Sequence, residues 1–235
     1  MQVYYAPGIT GSDYHILDSS ESRHLVRVLR MKKGDPVFLI DGKGNLYRGV
    51  IEDPDKDGCR IGIISVTPDF EKRDYRLHVA ISPLKNNERL EWFIEKAVET
   101  GIDEISLIIC SNTEKQKVRM QRLRNIMLSA MKQSLKARET IINEPVVFSD
   151  LINRSYGEKL MIAHCNGTRE RKYISEICHK GDDVLILIGP EGDFTIGEIN
   201  EAAGRKFNEI SFGKSRFRTE TAGIAACLSV YLLNQ

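Results

Sequence analysis

Residues Val184-Leu-Ile-Leu-Ile188 are five consecutive aliphatic side chains, closed by Gly189-Pro-Glu-Gly192. A run without polar alternation has no face to offer water. As a strand it must be covered on both sides, which is the environment of a parallel sheet flanked by helices. A second piece, Ile210-Ser-Phe-Gly213, repeats the plan and continues to Arg218-Thr-Glu-Thr-Ala222. Each piece ends in a glycine turn and leads into a helical pattern. Ligands of such sheets bind outside the carboxyl ends of the strands, so the two turns are the expected place for a site.

The rest of the chain divides by pattern. Residues 1–72 read as a small β-rich, barrel-like unit. Ser20 is placed to cap a short helix carrying Leu25, Val28 and Leu29 on one face. Val37–Ile40 and Leu46–Glu52 flank the hairpin signal Asp41-Gly-Lys-Gly44, and Arg60–Val66 is a further strand. The polar stretch Thr67–Asp74 lacks periodicity and marks a boundary, so residues 73–235 form a second domain. There strands and helices alternate. Leu77–Ile81 is a strand, and Asn86 or Asn87 caps a helix with Leu90, Phe93, Ile94, Ala97 and Val98 on one face, ended by Gly101. Trp92 beside that face reads as a packing residue. Ile105–Cys110 is a strand and Val118–Ala137 a basic helix. Leu160–His164 is a strand, Thr168–His179 a helix, and Thr195-Ile-Gly-Glu198 a capping box. Glu209–Phe212 is the last strand, and the closing helix spans Glu220–Leu233.

Composition excludes several classes. No apolar run approaches the roughly 18–20 residues that cross a bilayer. The first residues show neither a basic nor an apolar leader segment, so no signal peptide and a cytoplasmic location are expected. Cys59, Cys110, Cys165, Cys178 and Cys227 are scattered and never form Cys-x-x-Cys, which favours free thiols over disulfides or zinc. The five histidines show no ligand spacing, so no metal is expected. Net charge is +1, but it is unevenly spread. Five bases and no acid fall between Arg23 and Lys33, and eight bases and no acid between Lys115 and Arg138. Two basic stripes suit a polyanionic partner; solvated faces balanced by acids elsewhere are the equal alternative.

Gly189-Pro-Glu-Gly192 after a buried strand leaves backbone N–H and C=O groups open to a nucleotide-like cofactor, although the tetrapeptide alone is more often a plain turn. It is neither a Walker loop nor a dinucleotide fingerprint, so ATP hydrolysis and NAD chemistry have little support. Arg218 at a loop–helix junction can hold an anion or a developing negative charge. Its structural alternative is a pair with Glu220. His164, at a strand end, reads as a satisfied loop histidine before a catalytic base, and Cys165 has no motif that would make it a nucleophile.

These pieces together resemble one family. They are His24-Leu-Val-Arg-Val-Leu-Arg30 with Lys33-Gly-Asp35, Lys85 through Glu99-Thr-Gly-Ile102, Gln133-Ser134, Ile188-Gly-Pro-Glu-Gly192, Phe212-Gly213 and Arg218-Thr-Glu-Thr-Ala222. In this order, across nearly the whole chain, they resemble the RsmE-type 16S rRNA uracil-N3 methyltransferases of the SPOUT class. Asp193 and the pair Arg216-Phe217 stand where that pattern commonly has a glycine and two aliphatic residues. The resemblance implies an N-terminal PUA-like RNA-binding domain, a C-terminal α/β domain with a deep trefoil knot, and a homodimer. It implies S-adenosylmethionine (SAM) held by His164, Gly189, Pro190, Glu191, Gly192, Phe212, Gly213, Arg218, Thr219, Glu220, Thr221 and Ala222. The acceptor would be N3 of U1498 in the small ribosomal subunit.

Direct methyl transfer needs an aligned donor and acceptor and a fate for the N3 proton. Arg218 is expected to bind the uracil oxygens and Glu220 to act as base. Arg23, Arg27, Arg30, Lys32, Lys33, Lys115, Lys117, Arg119 and Arg122 are expected to contact RNA. The competing readings are a SPOUT enzyme acting on tRNA or a ribose 2′-hydroxyl, an RNA-binding protein without catalysis, and a metabolic α/β enzyme using the turn for a phosphate.

Overall fold

A computed structural model of the chain describes residues 2–9 and 11–235; Met1 and Thr10 lie outside the description. The contacts divide into two units, Met1–Lys72 with Leu128–Glu139, and Arg73–Met127 with Thr140–Gln235.

The first unit is a five-stranded sheet. Its strands are β1 (Val3–Tyr5), β2 (Tyr14–Ile16), β3 (Pro36–Ile40), β4 (Leu46–Asp53) and β5 (Arg60–Thr67), in the order β1-β3-β4-β5-β2. The β3–β4 hairpin is organised by Asp41. Its carboxylate accepts the N–H groups of Lys43 and Asn45, the Asn45 amide and the Tyr47 hydroxyl. Tyr4, Leu17, Leu39, Ile51 and Ile61 are buried in the core of this unit. Asp18, not Ser20, caps α1 (Ser19–Arg23), because its Oδ1 accepts both the Ser20 and Glu21 N–H groups. The chain then widens into a π-helical turn, His24–Val28. That change of period breaks the expected apolar face: Leu25 is buried, whereas Val28 is 65% exposed. The returning segment joins this unit through Lys132 to Glu21 and through Glu139, which accepts from the Tyr5 hydroxyl at 2.6 Å.

The second unit is built on a parallel sheet. Its strands are β6 (Leu77–Ile81), β7 (Glu104–Ile109), β8 (Ile141–Ile142), β9 (Val146–Val147), β10 (Lys159–Ala163), β11 (Val184–Ile188) and β12 (Asn208–Ile210). They run β12-β10-β11-β6-β7-β8, with β9 also on β7. Every residue of β11 is buried, as its unbroken aliphatic run requires. Helices α2 (Asn87–Thr100), α3 (Met120–Gln133), α4 (Phe148–Ile152), α5 (Ile196–Gly204) and α6 (Thr219–Leu233) complete the chain.

Helix α2 follows its sequence signals. Asn86 accepts the Glu88 N–H at 2.8 Å, and Gly101 ends the helix at φ 86°. Leu90, Phe93, Ile94, Ala97 and Val98 are buried, but Trp92 is 44% exposed and is not a core residue. Helix α5 carries the expected capping box between Thr195 and Glu198. Helix α3 is shorter than expected at both ends. The expected helix Thr168–His179 does not form; only a 3₁₀ turn at Ile174–Glu176 is present. Lys172 runs instead beside β12, donating to Glu209 O and accepting from Ser211 N–H. Extended backbone here lets neighbouring Arg169 and Arg171 side chains reach partners that a helix would turn away.

Candidate active site

Three strand ends build the site. Ala163 closes β10 in register with Ile188 of β11 and Ile210 of β12, so the three following loops leave the sheet at one level. They enclose a cavity of about 770 Å³, lined among others by His164, Gly189, Glu191, Phe212 and Arg218. That volume lies in the range of small-molecule and cofactor sites.

The turn after β11 is pinned from several sides. Asn112 Nδ2 donates to the carbonyls of Gly192 and Asp193, at 3.3 and 3.0 Å. Glu191 accepts the Lys85 N–H at 3.0 Å. A Cβ at Gly189 would fall 3.0 Å from two ring carbons of Phe194, so any side chain there would have to push that ring aside. Asp193 takes the left-handed conformation at φ 64°. Its carboxylate offsets that strain by accepting its neighbour's N–H from Phe194 and the Cys165 N–H, each at 2.8 Å. The second bond ties the loop after β10 to the turn after β11.

The loop after β10 is held by His164 and Glu209. His164 Nδ1 accepts the Asn166 N–H at 3.2 Å, which leaves Nε2 as the donor to Glu209 at 2.9 Å. Burial lowers the His164 pKa, against the pull of Glu209. The ring is therefore a neutral structural element with both nitrogens occupied, in line with its reading as a satisfied histidine. Arg169 grips Glu209 through Nε and Nη2, and this bonding holds the Glu209 carboxyl below its usual range. Arg171 donates to the His164 carbonyl at 2.5 Å.

The loop after β12 reaches the cavity through Gly213, at φ 111°, and Lys214-Ser-Arg-Phe-Arg218. Lys214, Arg216 and Arg218 are exposed and make no ion pair among the described residues. Arg218 is the N-cap residue of α6 but gives no side-chain cap bond, so its guanidinium remains available. The alternative pair of Arg218 with Glu220 does not form. Glu220 is 7% exposed and faces Arg89 of α2 at 3.7 Å, and its Oε2 has no hydrogen-bond partner.

Of the residues expected at the cofactor, His164, Gly189, Pro190, Glu191, Phe212, Gly213, Arg218, Thr219 and Ala222 line this one cavity. Gly192, Glu220 and Thr221 are not among its lining residues. Arg89, Arg171 and Asp193 line it without having been expected there. Arg89 follows a legible helix cap, but nothing local signals its approach to Glu220.

The expected RNA contacts fall into two groups. Arg27, Arg30, Lys32 and Lys33 are exposed on the first unit without ion pairs among the described residues, whereas Arg23 pairs with Asp57. In the second stripe, five of the eight bases have acidic partners, as the balanced-face reading anticipates: Arg122 with Glu91, Arg124 with Glu144, Lys132 with Glu21, Lys136 with Glu71 and Arg138 with Asp69. Lys115, Lys117 and Arg119 carry none among the described residues. Among the described residues, no group of three His, Cys, Asp or Glu side chains is arranged to hold a metal, and no helix is long and apolar enough to cross a membrane.

A cofactor-sized cavity at the carboxyl edge of a parallel sheet, in a chain that also carries a small β unit, defines a two-unit α/β protein with a small-molecule site. Comparison with known proteins gives the family. Residues 71–231 match the RNA methyltransferase domain and residues 17–64 the RNA methyltransferase PUA domain, so the chain belongs to the RNA methyltransferase family. It is 28% identical to Ribosomal RNA small subunit methyltransferase E of Rickettsia conorii, over 94% of this chain and 88% of that one. A Porphyromonas gingivalis structure described as a probable rRNA-methyltransferase is 39% identical, with a TM-score of 0.93 over 100% of this chain and 98% of that one. A Legionella pneumophila protein solved in complex with the bound cofactor SAM is 26% identical, with a TM-score of 0.88 over 99% and 97% of the two chains. The resemblance drawn from the sequence motifs therefore holds.

Proposed function

We propose that this RNA methyltransferase transfers a methyl group from SAM to N3 of U1498 in the 16S rRNA of the small ribosomal subunit. The observation that carries the reading is the single cavity shared by Gly189 and Arg218, formed where three parallel strands end. Its residues fit SAM. Ala163, Ile188, Ile210 and Phe212 offer apolar surface for a purine, and the glycine turns open backbone groups to it. Glu191 and Asp193 offset a sulfonium cation. SAM, when bound, supplies an electrophilic methyl group.

The chain's own residues do the rest. The glycine turns orient the donor, and Arg218 binds the uracil oxygens and holds the negative charge that grows as N3 loses its proton. Glu220 is assigned proton acceptance from behind the cavity lining, where its Oε2 is unbonded and its neighbour Arg89 lines the cavity between. Paired bases hide N3, so the acceptor must be unpaired or extruded. We assign residues 1–72 to RNA binding, through Arg23, Arg27, Arg30, Lys32 and Lys33, and 73–235 to methyl transfer, with Lys115, Lys117, Arg119 and Arg122 as phosphate contacts.

A trefoil knot in the second unit and a homodimer belong to the same reading. The strand order supports the knot, because β11 is seated between β6 and the earlier β10. The dimer is supported by Leu228 and Leu232 on α6, 42% and 67% exposed, beside a second cavity of about 410 Å³. The cytoplasm, where small subunits assemble, is the corresponding location. Calorimetric titration of the purified chain with SAM tests the proposal. Saturable binding that Gly189→Val abolishes supports it, and no binding to the wild-type chain contradicts it.

A further inference from the structure

The loop from β12 to α6 places an aromatic ring among cations in the cavity lining: Lys214-Ser-Arg-Phe-Arg218. Phe217 is 37% exposed. Its ring lies nearly parallel to that of Phe212, at 23° and 6.4 Å between centroids. Phe212 thus backs the ring, and the exposure leaves ring surface free for another planar group. Lys214 and Arg216 stand two residues apart on the same exposed loop, without ion pairs among the described residues.

We infer that Phe217 is the stacking platform for the acceptor base, with Lys214 and Arg216 holding the phosphates beside it. The inference rests on the methyl-transfer reading and specifies how that site takes its acceptor. A nucleotide drawn out of its stack loses contact with its neighbours, and a protein ring that restacks it recovers part of that loss. Stacking is tolerant of sequence, so the platform captures the extruded base while Arg218 faces its oxygens. The flanking cations meet the negative charge that the strand carries on either side of the base.

The test uses the full chain with Phe217→Leu, Phe217→Trp and Arg216→Ala. SAM binding is followed by calorimetry, and single-turnover methylation is measured against the concentration of small subunits lacking the modification. Phe217→Leu is expected to raise the half-saturating subunit concentration by about 5- to 100-fold. Its SAM affinity should fall by a much smaller factor than its subunit affinity. Phe217→Trp restores subunit affinity, because it restores a stacking face. Arg216→Ala lowers the slope of log affinity against log salt by about one. Wild-type half-saturation in Phe217→Leu overturns the inference. So does a tryptophan variant as weak as the leucine one, since the ring would then serve loop packing alone. Failure of the wild-type chain to bind SAM overturns the underlying reading instead.

Discussion

His164 donates to Glu209 across 2.9 Å, and through this bond the loop that leaves β10 is fastened to β12, two positions before the loop that carries Arg218 begins. Glu209 also receives Arg169, so one carboxylate holds two points of the loop after β10 against β12. Removing it should loosen the cavity wall while leaving the sheet in place. Glu209→Ala is expected to weaken SAM binding by about tenfold, on the order of 1.4 kcal/mol. Its circular dichroism should be unchanged. Wild-type affinity by calorimetry would show that the wall holds without it.

Arg218 is exposed at the cavity and free of any ion pair among the described residues, as a group that meets charge on a substrate should be. Arg218→Ala should reduce the single-turnover rate by about 100-fold or more, the scale on which loss of one preorganised donor is felt. Thermal unfolding should be unaltered, because the side chain makes no structural contact of that kind. A near-normal rate would remove Arg218 from the chemistry.

Gly223 sets how closely α6 packs on α2 and β6. A Cβ there would lie 2.6 Å from Phe93 Cε2 and 3.2 Å from Ile81 Cδ1, and both side chains are fully buried. Gly223→Ala overpacks this contact and should lower stability by about 1–3 kcal/mol. Equilibrium unfolding in urea measures it. A stabilised variant, as expected from helix propensity alone, would contradict the packing.

Acid should weaken the fold through its buried histidines. Burial lowers the pKa of His78 to about 4, where Glu104 opposes the effect, and burial lowers His164 as well. The unfolded chain binds protons on these rings at a higher pH than the native one does. Their contribution is complete above the ordinary histidine pKa and is lost as pH falls below it, for His78 down to about 4. Glu209 acts further down: Arg169 depresses its pKa, so its contribution holds above the ordinary carboxylate value and goes as pH drops through the folded one. The urea midpoint should therefore decline steadily between about pH 6.5 and 4. His78→Asn should flatten the upper part of that decline; an unchanged slope would remove His78 as its source.

The residues that were legible in advance are those whose partners are local or whose environment is uniform. Val184–Ile188 could only be a doubly covered strand, Asn86 and Gly101 bracket α2, and Thr195 with Glu198 signs the start of α5. The cavity was legible through its two glycine turns. The misread parts depend on distant partners. Thr168–His179 has helical composition, but Arg169 and Lys172 are held by Glu209, and Arg171 by the His164 carbonyl. Asp18 outcompeted Ser20 as a cap through two N–H bonds that no pattern ranks. β1, β2, β8 and β9 are two or three residues long, too short for alternation to show. Arg89 meets Glu220 only after the chain has folded.

The central claim is that this cavity delivers methyl groups to one uridine nitrogen. The direct measurement incubates the chain with methyl-labelled SAM and small ribosomal subunits from a strain lacking this protein, then maps the labelled nucleoside by mass spectrometry. The account predicts label in N3-methyluridine at U1498 alone. Label on a ribose hydroxyl, on tRNA or nowhere would contradict it.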